Sequence, residues 1–169
     1  MYLKIKKQFK EAIIPTRGTD YSAGLDLYMP EAVKGKLLAF SQRIDKTYPI
    51  PGSTWVNTEV GQIVLSPQLP TRINTGISIE IPHGYYGAVR GRSSLGFKGV
   101  MCMHGTIDSD YRGPLYIVLT NLLGSIYVLH PKDKIAQLVI QPYQHCVPKE
   151  VDELTETKRG VGGFGSTGK

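Results

Sequence analysis

From Thr71 to Ile81 every second residue is isoleucine or threonine. Ile73, Ile77, Ile79 and Ile81 share one parity with Thr75, while Arg72, Asn74, Ser78 and Glu80 share the other. A period of two is that of a strand with one buried face. No segment shows a long, clean 3.6-residue period, so a helical bundle is excluded. Pro82-His83-Gly84 turns the chain, and Tyr85–Arg90 reads as a second strand in a hairpin-like pair with the first. Leu115–Asn121 is apolar on both faces and is expected to be central. Ile126–Leu129 and Ile135–Tyr143 are further strands around a Pro131–Lys134 turn, and Lys4–Gln8 suits an edge. The 19 glycines and 11 prolines supply the turns that so many short strands need. The expectation is an all-β sandwich or barrel, and 169 residues suit one domain.

Twenty Lys and Arg against fourteen Asp and Glu leave a net charge of +6. That suits solubility or an anionic ligand. No long basic run or binding motif supports nucleic acid, and none is expected. No apolar run reaches the length of a membrane span, and no signal-peptide core follows the charged N-terminus. Two scattered cysteines, Cys102 and Cys146, point to a reducing compartment, the cytoplasm or a host's cytoplasm. Cys102 with His104, and His145 with Cys146, lack the spacing of a metal site.

Two stretches stand apart. Residues 33–60 are irregular and hold the only tryptophan, Trp55. The last segment, Thr157–Lys169, is rich in glycine and nearly free of aliphatic side chains. Such a tail orders only on something it binds.

Four segments concentrate residues that handle phosphate or activate water. Gly91-Arg92-Ser93-Ser94-Leu95-Gly96 follows a strand. A helical turn beginning there would aim free N–H groups, two hydroxyls and a guanidinium at one anion, although Ser-Ser after a strand is also an ordinary cap. Gly105–Gly113 carries Asp108 and Asp110, of which one suits a general base and the other a turn, with Tyr111 beside them. The tail, Arg159–Gly168, offers a cation, the Phe164 ring, flexible N–H groups and two hydroxyls. Ala23-Gly24-Leu25-Asp26-Leu27-Tyr28 places one acid in an apolar strand.

In this order the segments resemble the motifs of the trimeric dUTPase family, the deoxyuridine 5′-triphosphate nucleotidohydrolases. Ala23–Leu27 resembles the first motif, Gly91–Gly96 the second and Gly105–Gly113 the third. Asp133-Lys134-Ile135-Ala136-Gln137-Leu138 resembles the fourth, and Arg159–Gly168 the fifth. The resemblance implies a β-jelly roll (the dUTPase-like β-clip) forming a homotrimer with exchanged C-terminal arms. Residues 1–156 would be the β domain, with an insertion at about 33–60, and 157–169 the arm. It implies hydrolysis of dUTP to dUMP and pyrophosphate, with Asp108 as the base for the attacking water.

Tyr111 would lie against the deoxyribose and reject a 2′-hydroxyl. Arg92, Ser93, Ser94 and Gln137 would hold the phosphates. Arg159 would pair with the γ-phosphate, Phe164 would stack on uracil, and Gly165, Ser166 and Thr167 would close on the terminal phosphates. Uracil would be read largely by backbone between Val100 and Ile107, about Cys102, Gly105, Thr106 and Ile107. Some family members have Asn where this chain has Cys102, which cannot copy an amide's donor–acceptor pattern. Magnesium is implied, held mainly by phosphate oxygens and water, with Asp26 either touching that water shell or supporting the trimer contact.

Two rivals follow from the same residues. dCTP deaminase, alone or bifunctional, resembles this fold but needs a glutamate on the strand after the third motif, where this chain has Val118. A regulatory scaffold is the other. Residues 33–60 would then bind a protein partner through Tyr48, Ile50 and Trp55, the alternative being a surface excursion.

Overall fold

The computed structural model describes residues 2–31, 39–40, 56–57 and 61–163. Its strands, in chain order, are β1 (Lys4–Lys7), β2 (Thr16–Arg17), β3 (Leu25–Tyr28), β4 (Ala39–Phe40), β5 (Val56–Asn57), β6 (Gln62–Leu65), β7 (Pro70–Asn74), β8 (Ile77–Glu80), β9 (Tyr85–Arg90), β10 (Val100–Cys102), β11 (Gly105–Ile107), β12 (Tyr116–Asn121), β13 (Tyr127–Leu129) and β14 (Lys134–Pro142). A five-residue helix, α1 (Ser93–Phe97), joins β9 to β10. All ladders between the named strands are antiparallel. The largest sheet has five strands in the order β11-β9-β14-β3-β2, and a second has four in the order β10-β12-β7-β4. β13-β6-β5 and β1-β8 complete the set.

One apolar core joins these sheets in a jelly roll. Leu27, Ile63, Leu65, Ile73, Ile117, Leu119 and Leu138 are fully buried there. Alternation places them: Ile117, Leu119 and Asn121 of β12 point inward between half-buried neighbours. β12 is central in its sheet, as expected, but only one of its faces is fully buried. Asn121 is a buried polar group with its partners in place. Its amide donates to the Leu65 and Ser125 carbonyls at 3.0 and 2.8 Å and accepts from the Leu123 N–H at 3.0 Å.

Two expectations need correction. The alternating run Thr71–Ile81 is not one strand. It breaks at Thr75-Gly76, so that β7 joins β12 while β8 joins β1. Nor do β8 and β9 form a hairpin ladder: β9 pairs with β14 and β11 instead. Gly76 is the physical reason for the break. Its φ is +76°, and a Cβ there would meet Ala12 and the Phe9 ring at 2.8 Å. Period-two patterning survives because the same side chains face one core from both sheets. Gly76→Ala therefore combines left-handed strain with a clash. It is expected to lower stability by about 2–4 kcal/mol, read as a lower urea midpoint.

No described helix is long and apolar enough to cross a membrane. Within 33–60 the described pairs β4–β7 and β5–β6 stitch the stretch to two sheets. Tyr48, Ile50 and Trp55, the anchors of the partner reading, lie outside the described residues.

Candidate active site

Asp26 sits in the middle of the five-stranded sheet, where β3 pairs with β14 in the register Gln137↔Asp26. Its side chain is only 4% exposed, yet it is surrounded by donors. Lys134 Nζ lies 2.7 Å from Oδ2, Gln137 Nε2 donates to Oδ1 at 3.1 Å, and Arg92 Nε is 3.7 Å from Oδ1. Lys134 and Gln137 are three apart, which in a regular strand means opposite faces. A register shift between Lys134 and Ala136 brings both to one carboxylate. Gly24 makes the approach possible, since a Cβ there would press on Gln137 at 3.2 Å.

Burial alone would push the Asp26 carboxyl up. Hydrogen bonds from Lys134 and Gln137, with the charges of Lys134 and Arg92, outweigh it and hold the carboxyl below its usual range. Lys134 is raised by the same hydrogen bond and charge. A depressed carboxylate adds stability above its unfolded value, about 3.9, that is lost as pH falls through the lower folded value. Asp26→Asn is expected to cost about 1–3 kcal/mol at pH 7. In urea unfolding, the gap between wild type and variant should shrink as pH falls below about 4.

Arg92 is the N-cap residue of α1, and Ser93 and Ser94 begin its first turn. No side chain caps the helix, and Arg92 NH1 donates to the Lys134 carbonyl at 3.1 Å. The guanidinium thus turns toward Asp26 and β14.

A second group gathers around β11. β10 and β11 follow one another in the chain but join different sheets, each as an edge strand. Their facing edges share no ladder, which leaves a gap lined by backbone donors and acceptors. Cys102, Gly105, Thr106 and Ile107 border it. Cys102 is buried, its thiol donates to the Met103 carbonyl at 3.5 Å, and burial pushes the thiol up to about 11.

Asp108 follows β11 at once, in a turn closed by the Tyr111 N–H on the Asp108 carbonyl at 3.2 Å. It is exposed and borders a cavity of about 690 Å³ with Thr106, Asp110, Tyr86, Tyr143 and His145. The Tyr111 hydroxyl donates to the Pro114 carbonyl at 3.0 Å. Only glycine at 113 permits this fold of the ring, since a Cβ there would come within 2.6 Å of Tyr111 Cζ.

No hydrogen bond or ion pair among the described residues joins Asp108 or Tyr111 to the Asp26–Arg92–Lys134–Gln137 cluster. Arg159 lies in a local turn, its Nε on the Gly162 carbonyl at 2.9 Å. Phe164, Gly165, Ser166 and Thr167 are outside the described residues. Sequence reasoning missed Lys134 as a site residue. Its signal was the Asp-Lys step before a strand, but the register shift that turns it to Asp26 is invisible in the pattern. Among the described residues no three His, Cys, Asp or Glu side chains gather around a metal-sized space. Val118 lies on β12 opposite Arg72, with no carboxylate at that step.

The chain is similar to known proteins over nearly its whole length. The profile of the dUTPase family matches residues 60–168. The deoxyuridine 5′-triphosphate nucleotidohydrolase of Syntrophotalea carbinolica is 37% identical over 98% of this chain and 96% of that protein. The Arabidopsis thaliana protein of the same name is 35% identical over 99% of this chain and 83% of that one. Among solved structures, the Staphylococcus bacteriophage 80alpha dUTPase with dUPNHPP superposes with a TM-score of 0.76, at 26% identity and 99% coverage of both chains. A dUTPase from phage phi11 of S. aureus, described with a coordinated structural Mg(II) ion, gives a TM-score of 0.66 at 25% identity, covering 90% of this chain and 98% of that one.

Proposed function

This chain belongs to the dUTPase family, and from that premise we propose that it hydrolyses dUTP to dUMP and pyrophosphate at a site shared between copies. The observation that carries the reading is the gap between β10 and β11, followed at once by Asp108. Unpaired backbone edges suit the fixed donor–acceptor pattern of uracil, and a close fit to that ring would exclude a 5-methyl group. The carboxylate one residue beyond it then stands near the α-phosphorus. Asp108 orients a water and takes its proton as the oxygen attacks phosphorus and pyrophosphate leaves. Tyr111 covers the sugar and leaves no space for a 2′-hydroxyl.

Arg92, Ser93, Ser94 and Gln137 receive the phosphates, with Lys134 and Asp26 keeping Arg92 and Gln137 in place. A magnesium ion, of the kind noted in the phage phi11 dUTPase structure, would be held mainly by phosphate oxygens and water and would offset the triphosphate's charge. Asp26, whose oxygens meet Lys134 and Gln137, would either touch that ion's water shell or support the trimer contact.

Among the described residues no hydrogen bond or ion pair joins the two groups of site residues, which supports a site built from several copies. The C-terminal segment supports it too. Backbone groups of residues 144–156 make no hydrogen bond to another described residue, and Val147 and Leu154 are 81% and 86% exposed. Such a segment suits a neighbouring protomer in a homotrimer, with 157–169 as the arm that closes the site through Arg159, Phe164, Gly165, Ser166 and Thr167. The free thiols Cys102 and Cys146 suit a reducing cytoplasm.

Pyrophosphate release measured on dUTP, dTTP, dCTP and UTP, with and without magnesium, tests the proposal. Turnover is expected for dUTP alone and to be strongest with magnesium. Ammonia release from dCTP would overturn it in favour of the deaminase.

A further inference from the structure

Arg90, the last residue of β9, places NH1 3.0 Å from Nδ1 of His104. His104 lies in the two-residue tip, Met103-His104, that links β10 to β11. A guanidinium has no acceptor, so Nδ1 accepts and the imidazole is the neutral tautomer with its proton on Nε2. The tip must bridge two sheets, and it is tied on each side. Met103 N–H donates to the Val118 carbonyl of β12 at 2.9 Å. On the other side, the His104 ring is held on β9. Behind the gap the chain runs close, with a Cβ on Gly91 placed 3.4 Å from the Cys102 Cβ. The tip is therefore tied to β12 through Met103 and to β9 through His104, and Gly91 packs close to Cys102.

We infer that Arg90 and His104 form a latch that fixes the mouth of the β10–β11 gap, making both of them positioning residues for the nucleobase. The inference rests on the reading that this gap takes uracil. An exposed imidazole without a partner would sample several rotamers across the tip. Held by Arg90, it leaves the gap open and keeps its edge donors and acceptors at one spacing. Among the described residues no hydrogen bond or ion pair joins either side chain to Asp108, Arg92, Ser93 or Ser94, and Arg90 meets Gln137 as its backbone ladder partner.

The test uses the full-length protein with Arg90→Met, His104→Ala, the double variant and His104→Asn. Met keeps the stem of Arg90, and the Asn carbonyl restores an acceptor close to the place of Nδ1. Each single variant is expected to raise KM for dUTP about three- to tenfold, with kcat within about twofold of wild type. The double variant should be no worse than either single one, and His104→Asn should recover most of the KM. An unchanged KM in His104→Ala, effects that multiply in the double variant, or an Asn variant no better than Ala would each overturn the latch. If Arg90→Met fails to fold, the Ala–Asn comparison at 104 decides alone.

Gly105→Val separates this from the parent reading. Val is expected to crowd the gap and to weaken dUTP turnover and the preference over dCTP. If it leaves both unchanged, the gap does not read the base and the latch falls with that reading. If it weakens both while His104→Ala is silent, only the latch is lost.

Discussion

Asp108→Asn should bind dUTP nearly as well as wild type and release pyrophosphate about a hundred to ten thousand times more slowly. The substitution keeps the shape of the side chain and removes the proton acceptor. Asp108 is exposed in its turn, with no ion-pair partner among the described residues, so its loss should not disturb the fold. The kcat loss should appear without a matching rise in KM, because the substitution leaves the groups proposed to bind base, sugar and phosphates in place. Single-turnover measurement under saturating dUTP checks this directly. Turnover within about tenfold of wild type would remove Asp108 from the role of base.

Truncation after Lys158 is the second large effect. It removes Arg159, Phe164 and the hydroxyls of Ser166 and Thr167 while leaving every sheet intact. Closure of such an arm excludes water and brings a cation to the terminal phosphate, so kcat/KM should fall on the order of a hundredfold. Light scattering should still report the proposed trimer, since residues 144–156, proposed to span protomers, remain. Dissociation of the assembly instead would make the tail an assembly element first. Phe164→Ala should reproduce part of the loss, concentrated in KM.

Much of this was legible in the chain. Alternation at Ile73–Ile81 and the apolar run at Leu115–Asn121 announced an all-β core, because a pleated strand puts every second side chain on one face whatever sheet it enters. The five segments with their charged, hydroxyl and glycine residues identified the family, because phosphate and water activation draw on few residue types. Less legible was anything that depends on where a strand goes next. The run from Thr71 to Ile81 reads as one strand, yet Gly76, backed by the Phe9 ring and Ala12, sends its halves to different sheets. The Tyr85–Arg90 strand follows a good turn but finds its partners beyond α1, in β11 and in the distant β14.

The same division holds in the site. The sequence by itself nominated residues for chemistry: Asp26, Arg92, Asp108, Tyr111 and Arg159 stand in segments dense in such groups, and Gln137 came with the resemblance to the fourth motif. Only the tertiary structure decided which of them meet. Asp26, Arg92, Lys134 and Gln137 converge because β3 and β14 pair with a register shift that turns Lys134 onto the carboxylate. Arg90 reaches His104 because β9 ends beside the tip that separates two sheets. Local propensity carries no record of strand partner or register. Those follow from burying one shared core, a property of the whole chain.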